Sequence, residues 1–181
     1  MRYLATTDPS HPASVIKFCP FCGHDSFVWS SEHHSFCCDS CNKRFFINGA
    51  SAVVALIRDN DNKILFTRRA HEPFKGMLDL PGGFVDPGES AEEALHREIE
   101  EELGKKVTKY RYINSFPNLY PYDGLTYFTV DLFYECEIDS TSDITPMDDV
   151  TDVLWLKANE VNLEEIGGDS IKEMIKSIIS F

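Results

Sequence analysis

A short acidic stretch of the sequence has the residue types and the spacing to hold a metal ion. Glu98, Glu101 and Glu102 stand at positions i, i+3 and i+4, so a helix would bring their carboxylates together on one face. Two carboxylates about 4 Å apart repel by about 4 kcal/mol at an effective dielectric constant near 20, and Arg97 supplies a single positive charge. Oxygen ligands of this kind suit Mg2+ or Mn2+, which in turn bind phosphate oxygens. The stretch therefore predicts a metal and phosphate site, with a solvated acidic face as the alternative.

A helix must position these side chains, and the sequence marks both of its ends. Ser90 and Glu93 have the spacing of a capping box, and Gly104 is a natural C-terminal stop. Between these ends an apolar residue recurs every four positions, which predicts a buried stripe. The residues of the stripe are Ala91, Leu95, Ile99 and Leu103.

The stretch from Gly83 to Lys105 resembles the Nudix box. That pattern runs Gly, five residues, Glu, seven residues, Arg-Glu-aliphatic-x-Glu-Glu-x-Gly-aliphatic. Lys105 departs from it, because the family has an aliphatic residue there, and we expect a local change in packing that leaves the chemistry intact. The positions in register are Gly83, Glu89, Arg97, Glu98, Ile99, Glu101, Glu102 and Gly104.

The resemblance implies a role for each residue of the site. Glu98 and Glu102 are then the main ligands of Mg2+ or Mn2+, and Glu101 is a further ligand or the general base. Arg97 orients the glutamates and Glu89 supports the loop. The Gly82 carbonyl is another ligand, as is the late acidic residue Asp149, for which Asp143, Asp148 and Asp152 are competitors.

The resemblance also points to residues that contact substrate. Arg68 and Arg69 end a predicted strand near the Gly82-Gly83 turn, where guanidinium groups suit phosphate oxygens, and a solvated strand end is the alternative. Phe116 and Tyr120 are candidates for stacking on a base, although aromatic residues in strands more often belong to a core.

Two CxxC pairs near the N-terminus have the spacing of a four-thiolate zinc ribbon. The pairs are Cys19 with Cys22 and Cys38 with Cys41, separated by fifteen residues. Gly23 and Asn42 follow them, and both residue types tolerate the left-handed backbone of a tight turn. We expect Zn2+ in a closed structural site, with a disulfide pair or a redox motif as alternatives. His24, His33, His34 and Cys37 break this spacing and are interpreted as loop residues or as groups that contact the ligands, and Cys136, in a predicted strand, is expected to be buried.

Composition and charge limit the classes of partner. The 181 residues include 17 basic and 30 acidic side chains, which gives a net charge of −13. Nucleic acid is therefore not expected as a partner, whereas a small nucleotide is expected as the substrate. The sequence shows no apolar run long enough to cross a membrane, and we expect a cytoplasmic protein. A homodimer is left open.

The predicted architecture is α/β. Residues 1–48 form the zinc ribbon, and residues 49–181 form a Nudix domain, a mixed sheet between helices. Residues 52–58 and 63–69 are predicted to form a hairpin, residues 107–116, 125–138 and 153–156 to form strands, and residues 170–179 to form a closing helix.

The resemblance implies hydrolysis of a diphosphate that joins a nucleoside to another group, as in ADP-ribose, NADH or a flavin dinucleotide. The ribbon placed before the domain resembles the layout of bacterial NADH pyrophosphatases. Their Ser-Gln-Pro-Trp-Pro-Phe-Pro segment is replaced here by residues 115–121, Ser-Phe-Pro-Asn-Leu-Tyr-Pro, which places NADH preference in doubt. A nucleotide-sensing regulator and an RNA-end processing enzyme are the alternatives.

Overall fold

A computed structural model describes residues 4–179, which divide into two compact units. The first unit contains the described residues up to Gly49 together with Leu119–Phe128, and the second contains Ala50–Asn118 together with the described residues from Thr129 onward. The α-helices in the described part of the chain are α1 (Pro12–Val15), α2 (Ala91–Leu103) and α3 (Asp169–Ile179), and short 3-10 helices lie at Ala158–Glu160 and Leu163–Glu165. The strands in the same part are β1 (Phe27–Ser30), β2 (Ser35–Cys38), β3 (Arg44–Phe46), β4 (Ala50–Ile57), β5 (Ile64–Arg69), β6 (Leu78–Asp79), β7 (Val107–Tyr122), β8 (Leu125–Ile138) and β9 (Val150–Leu156).

The first unit is built on the antiparallel sheet β1-β2-β3. Its small core stacks the rings of Phe27 and Phe36, 4.7 Å apart, beside buried cysteines. The tip of the β7–β8 hairpin belongs to this unit, because the Thr126 N–H donates to the Ser10 carbonyl at 2.8 Å and His11 contacts Phe128 edge to face. A segment distant in sequence therefore completes the unit.

The second unit contains two three-stranded sheets. The sheet β4-β8-β7 is mixed, with β4 parallel to β8, and the sheet β6-β5-β9 is antiparallel. Alternate residues of β4 enter different apolar clusters, Val53, Ala55 and Ile57 on the side of α2 and Val54 and Leu56 on the side of α3. Helices therefore cover both faces of β4, and the predicted α/β architecture is confirmed.

The predicted hairpin of residues 52–58 and 63–69 is wrong in its pairing. The turn forms as expected, since the Asp59 carboxylate accepts N–H groups of Asp61 and Lys63 at 2.9 and 2.8 Å. Beyond the isolated bridge between Arg58 and Ile64, however, β4 and β5 enter different sheets. The reason is visible in β4, whose residues 53–57 are all buried, as suits a strand covered on both faces and paired in parallel.

Helix α2 follows its sequence signals closely. The Ser90 hydroxyl accepts the Glu93 N–H at 3.2 Å, and the Ser90 N–H donates to the Glu93 carboxylate at 2.7 Å, which confirms the capping box. Gly104 ends the helix in the left-handed region with φ of 62°. Leu95, Ile99 and Leu103 are buried and Ala91 packs against the same cluster, which confirms the apolar stripe.

A buried carboxylate ties α3 to the sheet. Asp131 of β8 accepts hydrogen bonds from the side chains of Ser170, Thr129 and Asn118 at 2.5, 2.7 and 3.0 Å. Burial raises the pKa of Asp131, although these three donors lower it. Within residues 4–179 no helix has both the length and the apolar character needed to span a membrane.

Candidate active site

The three glutamates of α2 lie in different environments. Glu102 is 7% exposed, the Glu98 side chain is 14% exposed, and the Glu101 side chain is 49% exposed. Glu98 and Glu102 are four residues apart and therefore neighbours on the inward face of the helix. Glu101 stands at the boundary with solvent. A uniformly solvated acidic face is thus excluded.

The turn before the helix brings backbone against these carboxylates. The Gly82 N–H donates to Oε2 of Glu102 at 3.0 Å. The carbonyls of Pro81 and Gly83 accept the N–H groups of Ala55 and Val53 at 2.8 Å each, and none of these three bonds uses the Gly82 carbonyl. Binding of a metal ion by that carbonyl stays a prediction.

Space requires glycine at position 82, and glycine at position 83 leaves room for the Glu98 carboxylate. Gly82 has φ of 141°, and a Cβ on it would overlap the Val53 carbonyl oxygen. A Cβ on Gly83 would overlap the Glu98 carboxylate. The Glu98 carboxylate therefore lies directly against the backbone of the turn, and a side chain at position 83 would displace it.

Arg97 holds three of the carboxylates of the site in place. Its guanidinium donates to both carboxylate oxygens of Glu89 at 2.6 and 3.2 Å, and to Glu98 and Glu101 at 2.8 and 3.0 Å. It also donates to the Phe84 carbonyl at 3.0 Å. Hydrogen bonds from Arg97 lower the pKa of Glu89, and the same contact with Glu89 contributes most to raising the pKa of Arg97. Arg97 and Glu89 thus form a brace between the loop and α2.

The negative charges of the two buried carboxylates, Glu98 and Glu102, are not balanced as fully as that of Glu89. Burial raises the pKa of Glu98, although Arg97 lowers it. Burial raises the pKa of Glu102 well above its usual range, and the negative charges of Asp79, Glu98 and Asp149 add to the rise. Buried carboxylates with this excess of negative charge, beside a backbone carbonyl, are the oxygen donor set of a hard divalent cation. The residues therefore fit Mg2+ or Mn2+.

Two further carboxylates surround Glu102. Asp149 is exposed and lies 3.6 Å from Nε2 of His71, and of the four late aspartates it is the one whose charge raises the pKa of Glu102. Asp79 was not anticipated from the sequence. It pairs with Arg69 at 2.8 Å, and burial raises its pKa despite that partner. Its signal in the sequence is a single acidic residue between two leucines, Leu78 and Leu80.

The sulfur atoms of the first unit form a second cluster. Those of Cys19, Cys22, Cys38 and Cys41 all lie within 4.8 Å of one another, with 3.7 Å between Cys19 and Cys41 and 3.6 Å between Cys22 and Cys38. Four Zn–S bonds of about 2.3 Å in a tetrahedron place sulfurs about 3.8 Å apart, so the thiols fit Zn2+.

The two CxxC turns of this cluster have the same backbone. The Gly23 N–H donates to the Cys19 carbonyl and the Asn42 N–H to the Cys38 carbonyl, both at 2.8 Å. Gly23 and Asn42 have φ of 73° and 56°, as their residue types predict. In the described chain, neither Cys37 nor any histidine joins the cluster. The predicted four-cysteine grouping is therefore present.

Comparison with known proteins identifies the family. The family model for the NUDIX domain matches residues 49–177, which is more than half of the chain. The chain belongs to the NUDIX domain family. Residues 83–104, with Glu98 and Glu102, lie inside the matched region of this Nudix chain.

Relatives and solved structures agree with this assignment. The NAD-capped RNA hydrolase NudC of Shigella dysenteriae serotype 1 is 27% identical over 164 residues, 91% of this chain and 60% of that protein. The Nudix chain thus spans about 60% of the length of the curated relatives it matches. The structure of a NUDIX hydrolase from Nitrosomonas europaea superposes with a TM-score of 0.59 at 20% identity, covering 90% of this chain and 92% of that chain. The NUDIX domain of Shewanella oneidensis NrtR, complexed with ADP ribose, gives 0.59 at 22% identity, covering 75% and 89%.

Arg68 and Arg69 of the Nudix domain hold the loop that follows β5. Arg69 donates to the Pro73 carbonyl at 2.7 Å and to Asp79 at 2.8 Å, and Arg68 donates to the Gly76 carbonyl at 2.8 Å. Their guanidinium groups thus shape residues 70–77, a function that the sequence did not indicate. Contact with substrate phosphates stays a prediction for both.

The two aromatic candidates lie in different units. Phe116 packs edge to face on Phe133, 5.7 Å between ring centroids, beside the cluster under α3. Tyr120 lies in the first unit and stacks on Tyr122 with 6.3 Å between centroids. Phe116 therefore has the contacts of a core residue, and stacking on a substrate base stays a prediction for both residues.

Proposed function

We propose that the Nudix domain hydrolyses the diphosphate bond of a nucleoside diphosphate linked to a second moiety, with Mg2+ or Mn2+, and releases a nucleoside monophosphate. The observation that carries this proposal is the buried pair Glu98 and Glu102 in contact with the Gly82-Gly83 turn. ADP-ribose, NADH and flavin dinucleotides define the substrate class. Support for ADP-ribose comes from the NrtR domain, whose fold this chain shares and which was crystallised with that ligand.

The residues divide the work by their exposure. Glu98 and Glu102 would hold the metal, together with the Gly82 carbonyl and Asp149. When bound, the cation neutralises the charge of the diphosphate and lowers the pKa of a bound water. Arg97 keeps Glu98 and Glu101 in place through its contacts of 2.8 and 3.0 Å. Glu101, which faces solvent, takes the proton as water adds to one phosphorus. The bridging P–O bond then breaks, and each product carries one phosphate.

The first unit has a structural role in this proposal. We assign Zn2+ to Cys19, Cys22, Cys38 and Cys41, and we divide the chain into a ribbon of residues 1–48 and a Nudix domain of residues 49–181. Four thiolates leave no open coordination position, so the zinc would stabilise the fold rather than activate water.

A second candidate is cleavage of the NAD cap of RNA. It is favoured by the NudC relatives, which align with 91% of this chain and are named NAD-capped RNA hydrolases. Both candidates use the same bond chemistry and the same glutamates. They differ in whether the second moiety is a small molecule or an RNA chain.

The test is a panel of substrates offered to the purified chain with Mg2+. The panel contains ADP-ribose, NADH, FAD, nucleoside triphosphates and NAD-capped RNA, with products separated by chromatography. Release of a monophosphate from a dinucleotide or from ADP-ribose is the expected result, and Glu102→Gln should abolish it. Glu173→Gln, which removes an exposed carboxylate of α3, is the matched control and should keep the wild-type rate.

Other outcomes would redirect the assignment. Pyrophosphate release from triphosphates would indicate a nucleotide-pool enzyme. Cleavage confined to capped RNA would favour the second candidate. Tight binding of ADP-ribose without turnover would favour a sensor and overturn the proposal.

A further inference from the structure

Arg69, the last residue of β5, bonds to several parts of the segment that follows it. We call residues 70–77 the β5 loop. The Arg69 N–H donates to the Met77 carbonyl at 3.1 Å. Its guanidinium donates to the Pro73 carbonyl at 2.7 Å and to Asp79 of β6 at 2.8 Å. Three bonds of one residue therefore fix the middle and the end of the β5 loop and join them to the next strand.

The start of the β5 loop contacts the late acidic residue Asp149. The Ala70 N–H donates to the Asp149 carbonyl at 2.8 Å, and Nε2 of His71 lies 3.6 Å from Oδ1 of Asp149. Two residues before Asp149, the Met147 N–H donates to the carbonyl of Glu102 at 2.9 Å. Asp149 is therefore held between the β5 loop and the end of α2, next to a carboxylate of the candidate metal site.

Asp149 depends on these backbone contacts for its position. Its side chain is 67% exposed, so packing does little to fix it. The pairing of β5 with β9 shifts register between Arg68 and Arg69, so that Arg69 lies opposite Val150, the neighbour of Asp149. Bulges of this kind often re-aim a side chain beside a site. The Arg69 side chain is largely buried at the same place and holds the β5 loop in its path.

We propose that Arg69 is a positioning residue for the metal site, which holds the β5 loop so that Asp149 stays beside Glu102. The inference rests on the proposed function, in which Asp149 is a metal ligand. Direct contact of Arg69 with a substrate phosphate is the competing role. It is less favoured, because a phosphate would compete with Pro73 and Asp79 for the same guanidinium.

The sign of one effect separates positioning from charge. Removing a cation near several carboxylates strengthens the binding of a metal ion if charge alone matters. Removing a group that orients a metal ligand weakens it, typically by 10- to 100-fold. A weaker metal site after loss of the Arg69 charge would therefore reflect lost geometry.

The experiment measures binding of Mn2+ alone, without nucleotide, to the full chain with its zinc retained, by electron paramagnetic resonance. Arg69→Gln should weaken Mn2+ binding by about tenfold. Arg69→Lys keeps the charge and can reach one of the two acceptors, so it should lose less. In an Asp149→Asn background, Arg69→Gln should cause no further loss, because the ligand that it positions is already removed.

The matched control is Arg111→Gln, which removes a guanidinium from an exposed pair with Glu135 and should keep the wild-type affinity for Mn2+. Unchanged or tighter Mn2+ binding in Arg69→Gln would overturn the proposal, and a raised KM for ADP-ribose would then indicate phosphate contact. A further tenfold loss in the Asp149→Asn background would also overturn it, since Arg69 would then act on another part of the site.

Two measurements keep the outcomes distinct. Circular dichroism at the assay temperature separates unfolding from lost position. Where Arg69→Gln does not fold, Arg69→Lys decides the question, and a wild-type Mn2+ affinity in that variant would overturn the proposal. Glu102→Gln tests the proposed function in the same assay. Wild-type affinity in Glu102→Gln would overturn the metal site itself, whereas its loss beside an unaffected Arg69→Gln would overturn only the role of Arg69.

Discussion

At the scale of single residues, Glu102 and Glu101 show how one helix can supply two kinds of carboxylate. Glu102 is buried with one N–H donor and a raised pKa, so its charged form is costly until a cation arrives. Glu101 is half exposed and contacts Arg97, so it can exchange protons with water. One group is therefore suited to binding metal and the other to proton transfer.

The pH dependence of stability should expose the strain at Glu102. Because burial raises its pKa above the ordinary value of 4.5, the metal-free folded state binds more protons than the unfolded state in that range. The contribution of Glu102 to stability is then greatest at and below the ordinary pKa and is lost as pH rises through the interval up to the raised one. Thermal unfolding between pH 4.5 and 8, in buffer free of Mg2+ and Mn2+ but with one Zn2+ per chain retained, should show this fall, and Glu102→Gln should reduce it and raise the melting temperature at pH 7.5. An identical pH profile in the variant would contradict the assigned environment.

Replacement of Arg97 by lysine should separate charge from geometry. An ammonium keeps the charge but cannot make the two parallel bonds to Glu89 while also reaching Glu98 and Glu101. We expect catalysis and apparent Mg2+ affinity to fall by roughly 10- to 100-fold, as for other groups that orient metal ligands. Titration of activity with Mg2+ measures both. Lys109→Gln, which breaks an exposed pair with Glu137, is the control and should change neither.

At the scale of elements, α2 depends on the two reciprocal bonds of its capping box. Ser90→Ala removes the acceptor for the Glu93 N–H and should lower the free energy of unfolding by about 1 kcal/mol. Ser90→Asp retains an acceptor beside the positive end of the helix dipole and should keep most of the stability. Urea denaturation with a shared m-value measures the difference. Equal loss in both variants would mean that the cap contributes little.

Local signals explain which elements could be predicted. The caps and apolar period of α2 lie within one helix, and residues 125–138 form β8 with the predicted bounds, so neighbouring residues determine both. The pairing of β4 with β8 and the packing of the β7–β8 tip with the first unit depend on contacts distant in sequence. No strand was predicted at Ser35–Cys38, which forms β2, because this segment was interpreted only through the spacing of its cysteines. At the site, spacing marked the glutamates of α2, whereas the roles of Asp79 and Arg69 arise only from tertiary contact.

At the scale of the whole molecule, charge is divided unevenly between the units. The total of −13 disfavours nucleic acid as a partner, and most of it lies in the second unit, because residues 1–49 and 119–128 together carry four basic and five acidic side chains. Binding of a polyanion is controlled by the local potential within about a Debye length rather than by the sum over the chain. The two units can therefore differ in the partners they tolerate.

The cysteines allow a matched test of the proposed zinc site. The first unit has a small apolar core, so Zn2+ should supply much of its stability. Cys38→Ala removes one of the four clustered sulfurs and should abolish zinc binding and unfold the first unit. Cys37→Ala, one residue away on β2 and outside the cluster, should retain one zinc per chain and the amide protection of the wild type. Zinc is measured by mass spectrometry of metals and order by amide hydrogen exchange of residues 19–46. A fully protected, zinc-free wild type would show that these thiols stabilise the unit without a metal, and equal zinc loss in both variants would place Cys37 among the ligands.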